Sequence, residues 1–430
     1  MNSSGASRTL RTHQAITLSL LFLAGVINFF DRSSLSIANA TIRTEMHLSA
    51  TQMGWLLSAF SLAYGLAQLP LAGLMQRAGT RPVLGAGLTL WSTAQLLTGL
   101  VRALPSFLVL RVLLGIGESP FYPCGVQSVR DWFPERTRGR ATAVMSMSQT
   151  LGLAVAPPVL SLLILSIGWR AMFMSLGVAG LLAALAWSTL YRSRDSTEHR
   201  EAPPNAVPPS SIPATGQAVL TARENAWKIL LRQRMVWGMM LGFGGINYTN
   251  WLYTAWLPGY LQSARHLSLA KTGWVAAIPF LAGAFGMLTS GMATDRLARA
   301  GARLSTVHRA NIVLGMTASA ASTFLVAHSG STLHAVAGIS GALFFIHFAG
   351  TSGWGYVQAV SPPGLVASLS ALQNFASFMI ASAAPVLTGH LLDLTHSFTL
   401  ALIVCSAVTL LGALSYATLA APTKPVRALG

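Results

Sequence analysis

Long apolar segments separated by short polar turns recur along the whole 430-residue chain. The first is nearly unbroken, since residues 15–30 read AITLSLLFLAGVINFF. A helix needs about 20 apolar residues to cross the roughly 30 Å hydrocarbon layer of a membrane. Segments of about that length are predicted at 15–44, 50–75, 82–101, 105–130, 139–166, 169–191, 235–262, 270–293, 309–328, 331–358, 365–392 and 397–420. The pattern predicts an all-α integral membrane protein of twelve transmembrane helices, because the alternating segments of a membrane barrel are missing.

Composition agrees with this interpretation, since 53% of the residues are hydrophobic and only 9% are charged, against about 25% charged residues in soluble domains. The start of the chain superficially resembles a cleaved signal peptide, with Arg8, Arg11 and a small-residue stretch at 38–40. Its apolar core is too long, and two charged residues separate it from the cleavage-like stretch. We therefore expect the first segment to remain as a membrane helix.

The formal net charge of +17 is distributed by membrane side. If the N-terminus is cytoplasmic, 21 of the 28 Lys and Arg residues fall on the cytoplasmic side and 5 on the other. This is the positive-inside pattern, and it places both termini in the cytoplasm. The basic excess therefore does not indicate nucleic-acid binding. Cys124 and Cys405 both lie in apolar segments and match no metal or disulfide spacing.

A polar stretch divides the chain into two halves of six segments each. We predict an N-terminal six-helix bundle over 1–191, a cytoplasmic linker rich in Pro, Ser and charge over 192–234, and a C-terminal six-helix bundle over 235–430. The halves repeat, because GLMQRAGTR at 73–81 and GMATDRLARAGAR at 291–303 follow equivalent segments. Two membrane repeats joined by a polar loop are typical of transporters that bind substrate near the bilayer midplane.

Four ionisable residues lie deep inside the predicted spans: Asp31, Arg32, Arg111 and Glu118. Each charge costs about 2.5–3.5 kcal/mol at the centre of a membrane helix, so the four must pair or face water. Arg111 and Glu118 are two helical turns apart and share a helix face. One interpretation is a structural ion-pair cluster between the first and fourth spans. Stability alone seldom explains buried ion pairs, so we favour a functional role.

That role is the coupling of an anion to a proton. Burial favours the protonated form of a carboxylate, and a neighbouring arginine favours the ionised form. An arginine that moves from the acid to a substrate anion would therefore promote protonation of the acid. Glycines and prolines around Glu118, in RVLLGIGESPFYPC at 111–124, also predict an interrupted helix beside a cavity.

These segments resemble the major facilitator superfamily over essentially the whole chain. FFDRSSLSIA in the first span and RVLLGIGESPFYPCGVQSVRDWFPERTRGRA at 111–141 resemble its anion:cation symporter branch. That branch includes bacterial hexonate, hexuronate and tartrate carriers. The resemblance implies two six-helix bundles, a proton-coupled organic anion as cargo and a location in a bacterial inner membrane.

The resemblance also implies residue roles. Asp31 and Glu118 would carry the coupling protons, Arg32 would bind the substrate carboxylate and Arg111 would pair with the acids. The further predicted substrate-binding residues are Tyr64, Gln149, Thr351, Trp354 and Asn374, together with Asn247 from the polar face of the seventh span. Asp295 and Arg296 are the predicted gate residues, since they keep the charges of the superfamily's loop motif.

Two positions depart from the family pattern. Phe29 replaces a pocket tyrosine of galactonate-type carriers, and Gln76 replaces the acid of the first loop motif. The first change removes a hydroxyl and the second removes a charge from the gate of the first half. His347 is interpreted as a histidine satisfied within the bundle, with a proton relay as the alternative.

The function predicted from these features is proton-driven import of an organic monoanion, such as a sugar acid, by alternating access. No enzyme motif or nucleotide-binding loop is present, so we expect no enzyme activity, no cofactor and an ion gradient as the energy source. The expected partners are the anion, protons and the lipid bilayer, with a monomer as the default assembly. The alternatives are efflux by proton antiport, which the Ala156-Pro157-Pro158 sequence of span five disfavours, an intramembrane hydrolase with a carboxylate dyad, and a receptor without transport.

Overall fold

The structure is a computed structural model that describes residues 3–193, 227–361 and 365–420. Within these ranges the chain is helical and has no strand. Most of the predicted linker lies outside the described residues, so the linker and the domain boundaries drawn at its ends stay predictions.

The helices follow the apolar segments closely. In chain order they are α1 (Ser3–Ile37), α2 (Asn39–Glu45), α3 (Ala50–Ala78), α4 (Thr80–Thr98), α5 (Leu104–Glu118), α6 (Phe121–Trp132), α7 (Glu135–Leu190), α8 (Arg234–Ser263), α9 (Leu269–Arg299), α10 (Leu304–Ala327), α11 (Thr332–Val360), α12 (Val366–Ala381), α13 (Ala383–Thr395) and α14 (Thr399–Thr418).

Twelve membrane crossings result. Eight of the described segments are both long and apolar enough to span a bilayer, and one of them, α7, has 56 residues. It is two crossings, because Gly168 breaks it with a φ of 78° that residues with a Cβ rarely adopt. Helices α3, α4 and α8 also have membrane length. The pairs α5–α6 and α12–α13 each form one interrupted crossing, and the predicted twelve-helix fold in two bundles is confirmed.

The sequence-based boundaries differ from the structure mainly at the first crossing. It was predicted over 15–44, but α1 begins at Ser3 and ends at Ile37, and the short helix α2 follows it. The polar residues before position 15 continue the helix, so hydropathy alone misses its start. Cys124 and Cys405 are buried and unpaired, as the sequence indicated.

The bundles touch mainly on one side of the membrane. We call the side with the turns at 79, 133–134 and 300–303 the termini side, and the side with the turns at 46–49, 168 and 396–398 the opposite side. On the opposite side, Ser36 Oγ donates to the carbonyl of Ala255 at 2.8 Å, and the amide of Val386 donates to Ser58 Oγ at 3.2 Å. The backbone of α13 also approaches Gly54 so closely that an added Cβ would lie 2.6 Å from Pro385 O. These contacts close the opposite side.

Asp393 provides the strongest of these contacts. It lies in α13, and its carboxylate accepts hydrogen bonds from the amides of Ala50 and Thr51 at 2.8 and 2.7 Å, and from Thr51 Oγ1 at 2.6 Å. Ser49 and Gln52 form a capping box at the same helix end. All four first amides of α3 are therefore satisfied, two of them by the other bundle.

The termini side is open by comparison. Among the described residues, the bond from Asn374 Nδ2 to Gln68 Oε1, at 2.9 Å, is the cross-bundle hydrogen bond nearest to that side. Trp354 and Met287, which line the space between the bundles, are 41% and 43% exposed. The protein is therefore captured closed on the opposite side and open towards the termini.

We expect Asp393→Asn to weaken the closure of the opposite side. The substitution removes the charge from three hydrogen bonds, and a loss of 1–2 kcal/mol changes a two-state ratio by about 5- to 30-fold. The measurement is the labelling rate of Ser58→Cys by a membrane-impermeant maleimide, with and without the Asp393 substitution.

Glu45→Gln is the matched control, because Glu45 lies on the same side but, among the described residues, accepts a hydrogen bond from Trp169 and pairs with Arg170, both of its own bundle. It should leave the labelling rate unchanged. Equal rates in the Asp393→Asn and unsubstituted backgrounds would contradict the assignment of Asp393 to the closure.

Candidate functional site

Helix α1 presents different chemistry on two faces. Successive residues of an α-helix are about 100° apart, so Asn28 and Asp31 share one face and Phe29 and Arg32 share the next. Asn28 and Asp31 are 0% and 1% exposed and point into the N-terminal bundle. Phe29 and Arg32 line the space between the bundles. The adjacent acid and base noted in the sequence therefore point to different environments.

Glu118 is positioned by the interruption of the fourth crossing. Helix α5 ends at Glu118, and α6 begins at Phe121 after Ser119 and Pro120. Gly115 lets α5 approach α3 closely, because an added Cβ would lie 2.5 Å from Phe60 O. The close approach and the break place the Glu118 carboxylate in the interior, where it is 0% exposed.

Arg32 and Glu118 form an ion pair between the first and fourth crossings. Arg32 Nε donates to Glu118 Oε2 at 2.8 Å, and the Arg32 side chain is 14% exposed while that of Glu118 is fully buried. A charged hydrogen bond of this kind is stronger than a neutral one. Arg32 is thus the link between a buried acid and the inter-bundle space.

Aromatic rings surround the Arg32 guanidinium. Its Cζ lies 5.1 Å from the ring centre of Phe29, 5.3 Å from that of Phe60 and 4.8 Å from that of Tyr64. A guanidinium is attracted to the faces of such rings. The rings hold the cation at the wall of the cavity without supplying a competing negative charge.

Asp31 and Arg111 are buried near this pair but have free polar atoms. They are 1% and 2% exposed, respectively. Both Asp31 oxygens, Arg111 Nε and Nη1, and Glu118 Oε1 have no hydrogen-bond partner among the described residues. Arg111 acts electrostatically on both acids. The pairing of Arg111 with the acids stays a prediction, since the ion pair with Glu118 among the described residues is made by Arg32.

A cavity of about 450 Å³ lies between the bundles, beside Arg32. Five of the predicted substrate-binding residues line it: Arg32, Gln149, Asn247, Thr351 and Trp354. Gln149 reaches it because α7 packs closely on α1, where an added Cβ at Gly152 would lie 2.5 Å from that of Phe29. Trp354 stands edge-to-face on Phe243 at 5.2 Å, and the two rings give the cavity an apolar part of its wall.

The other predicted residues lie outside the cavity wall. Tyr64 is buried behind Arg32, Arg111 lies inside the N-terminal bundle, and Asn374 joins the bundles through Gln68. The predicted gate residues Asp295 and Arg296 are exposed near the end of α9, and neither has an ion pair among the described residues.

The cavity also contains polar residues outside the list of predicted substrate-binding residues. They are Thr150, Asn250, Thr254 and His347. Asn250 belongs to the polar face of the seventh span, part of which was expected to line the cavity, and Thr254 lies one turn further along α8 in the NYTNWLYT stretch at 247–254. Phe29, the departure from the family pattern, lies in the wall as well.

We expect a double-substitution cycle to show strong coupling between Arg32 and Glu118. Removing one partner of a buried pair costs about 3–5 kcal/mol, because the other charge stays buried. Arg32→Ala should therefore lower the unfolding free energy more than Arg32→Ala combined with Glu118→Gln. The measurement is reversible unfolding of the purified protein in detergent.

The exposed pair of Arg170 and Glu45, with an Nη2–Oε1 distance of 3.0 Å, is the matched control. Its side chains are 36% and 48% exposed, and exposed pairs contribute about 0–1 kcal/mol. A coupling for Arg32 and Glu118 no larger than that of this pair would contradict the buried-pair interpretation.

The chain is similar to known transporters in both sequence and fold. The chain is 48% identical to the probable L-galactonate transporter of Escherichia coli K12, over 95% of this chain and 90% of that protein. It is 31% identical to the probable galactarate/D-glucarate transporter GarP of the same organism, over 91% and 92%. A crystal structure of a bacterial homologue of the lysosomal transporter Spinster, inward-facing and unoccupied, shares the fold with a TM-score of 0.75, 18% identity and coverage of 94% and 96%.

The model of the Major Facilitator Superfamily matches residues 21–385. The resemblance predicted from the first and fourth crossings is confirmed, and so is the prediction of a transporter rather than an enzyme. The chain is a multi-pass membrane protein, and it belongs to the Major Facilitator Superfamily of transporters.

Proposed function

We propose that this protein imports a hydroxylated organic monoanion, of the sugar-acid class, together with protons across a bacterial inner membrane. The relatives named above are galactonate and galactarate/D-glucarate transporters. Their names support a sugar acid as the cargo. The charge distribution of the sequence supports an orientation with both termini in the cytoplasm, which makes the termini side cytoplasmic.

The observation that carries the proposal is that Arg32 contacts both the cavity and a buried acid. Its guanidinium lines the cavity and at the same time binds Glu118 at 2.8 Å. No other Lys, Arg, Asp or Glu lines the cavity among the described residues. A substrate carboxylate in the cavity therefore has one cation to bind, and that cation already belongs to a buried acid.

Competition for Arg32 couples the two ligands. When the substrate carboxylate draws the guanidinium away, Glu118 stays buried without its counter-charge. A buried carboxylate in that position is stabilised by binding a proton. Substrate binding then favours protonation, and protonation of Glu118 in turn frees Arg32 for the substrate. The reciprocity is required by linkage between two ligands of one site.

Asp31 provides a second proton site. Its carboxylate is buried among unpartnered polar atoms and interacts with Glu118 and Arg111. Each net charge that crosses is worth about 2.3 kcal/mol per 100 mV of membrane potential. One proton per monoanion moves no net charge, whereas two protons make the potential drive uptake. The two titratable acids, Asp31 and Glu118, fit a stoichiometry of two protons per monoanion.

Transport would proceed by rocking of the two bundles around this site. The opposite-side contacts at Asp393 and Ser36 break, the termini side closes, and the cavity opens outward. Asp295 and Arg296 would take part in closing the termini side. One chain contains both bundles and the whole cavity, which supports the monomer in a lipid bilayer as the working unit.

We expect galactonate added outside proteoliposomes to drive proton uptake, while its uncharged parent galactose drives none. Glu118→Gln should keep exchange of internal for external galactonate but move fewer protons per galactonate, because one of the two coupling acids is permanently neutral. Arg32→Ala should lose both, because the carboxylate has no cation to bind. The measurements are external pH and radiolabelled galactonate in the same vesicles.

Glu135→Gln is the matched control, since Glu135 is an exposed acid at the start of α7, outside the site. It should keep both activities. The same number of protons moved per galactonate by the Glu118→Gln protein and by the unsubstituted protein would overturn the assigned coupling role. Proton release from the vesicles in exchange for a substrate moving the other way would instead identify the antiport alternative.

A further inference from the structure

His347 lies on α11 in the wall of the cavity, with its ring nitrogens fixed in different roles. Its Nδ1 lies 2.8 Å from the carbonyl oxygen of Leu343. A carbonyl oxygen only accepts hydrogen bonds, so Nδ1 must carry the proton. In a neutral imidazole the other nitrogen, Nε2, is then an acceptor. Nε2 has no hydrogen-bond partner among the described residues.

The neighbouring helix holds the His347 ring in this orientation. At Gly283 of α9 an added Cβ would lie 2.8 Å from His347 Nδ1 and 3.1 Å from Cε1. The Nδ1 edge of the ring is therefore packed against α9 as well as bonded to Leu343. Only the remaining edge faces the cavity, and no carboxylate lines the cavity wall to stabilise a protonated ring.

Thr351 presents a second acceptor one helical turn along α11. Its hydroxyl donates to the carbonyl of His347 at 3.0 Å. A hydroxyl has a single proton, so only the oxygen lone pairs of Thr351 remain for a ligand. His347 and Thr351 thus form a pair of acceptors, one turn apart on the same face of α11.

The cavity offers a ligand two different kinds of binding group, one on each bundle. Arg32 on the N-terminal bundle attracts a carboxylate, whereas the acceptor pair on α11 can bind only groups that donate a proton. Hydroxyl groups donate, but a second carboxylate presents only lone pairs. A buried acceptor that faces another acceptor loses its solvation without gaining a hydrogen bond.

We propose that the His347–Thr351 acceptor pair sets the substrate class of this transporter: it binds the hydroxylated end of an aldonate and excludes the second carboxylate of an aldarate. The inference rests on the proposed function, because it assumes that Arg32 binds the first carboxylate. The named relatives include a probable transporter for each kind of acid.

The test compares uptake of galactonate and galactarate, which differ by one terminal oxidation, in proteoliposomes. The unsubstituted protein should take up galactonate at least 10-fold faster than galactarate at equal concentration. His347→Lys replaces the acceptor with a cation, and it should raise the ratio of galactarate to galactonate uptake at least 10-fold. His347→Gln supplies an amide donor of similar length without a charge, and it should raise the ratio by a smaller factor.

Two controls accompany these variants. His334→Lys adds the same charge at an exposed histidine on the opposite side, outside the cavity, and should leave the ratio unchanged. Thermal unfolding with and without galactonate shows that each variant is folded and binds. An unchanged ratio in both His347 variants would overturn the inference, and so would equal uptake of the two acids by the unsubstituted protein.

Failure of the proposed function gives a different result. If the unsubstituted protein takes up neither acid, then sugar-acid import and the inference that depends on it are both overturned. Uptake of both acids at similar rates leaves the import of sugar acids standing and overturns only the role of His347 and Thr351.

Discussion

A fully buried carboxylate that is held by an arginine at a cavity wall is the interaction on which this structure depends. Glu118 has no exposed surface, and its ion pair with Arg32 lies between two transmembrane helices. In the buried interior between two helices a charge without a partner is costly, so each of the two side chains fixes the position of the other. The break after α5, the close approach at Gly115 and the aromatic rings around Arg32 all serve to place this one contact.

The two bundles contribute different chemistry around it. Among the described residues, the buried charges Asp31, Arg111 and Glu118 all lie in the N-terminal bundle, as does Arg32 at the cavity wall, and the C-terminal bundle contributes neutral groups such as Asn247, Thr351 and His347 to the cavity. A substrate that bridges Arg32 and α11 therefore contacts both moving bodies. Its binding can favour closure of the termini side, because the bundles are joined mainly on the opposite side before it binds. Under the proposed function, this division assigns coupling to the charged residues and selectivity to the neutral acceptors.

Sequence patterns predicted the twelve crossings because hydropathy and the positions of glycine and proline act locally. They also predicted the interrupted helix beside Glu118 and five residues that line the cavity. They could not determine which arginine holds Glu118, because the spacing of Arg111 and Glu118 shows only that they share a face. The position of α1 beside α5 decides in favour of Arg32. The cap that Asp393 forms on α3 joins residues 343 apart, and no local pattern reports such a contact. The roles assigned to the site residues stay predictions.

The most direct test of exchange at Arg32 is the number of protons bound when galactonate binds to the purified protein. Calorimetric titrations in two buffers with different ionisation enthalpies give this number. The account predicts net proton uptake by the unsubstituted protein, and less uptake by Glu118→Gln, which should still bind galactonate. Binding without any proton uptake, or the same uptake in both proteins, would contradict it.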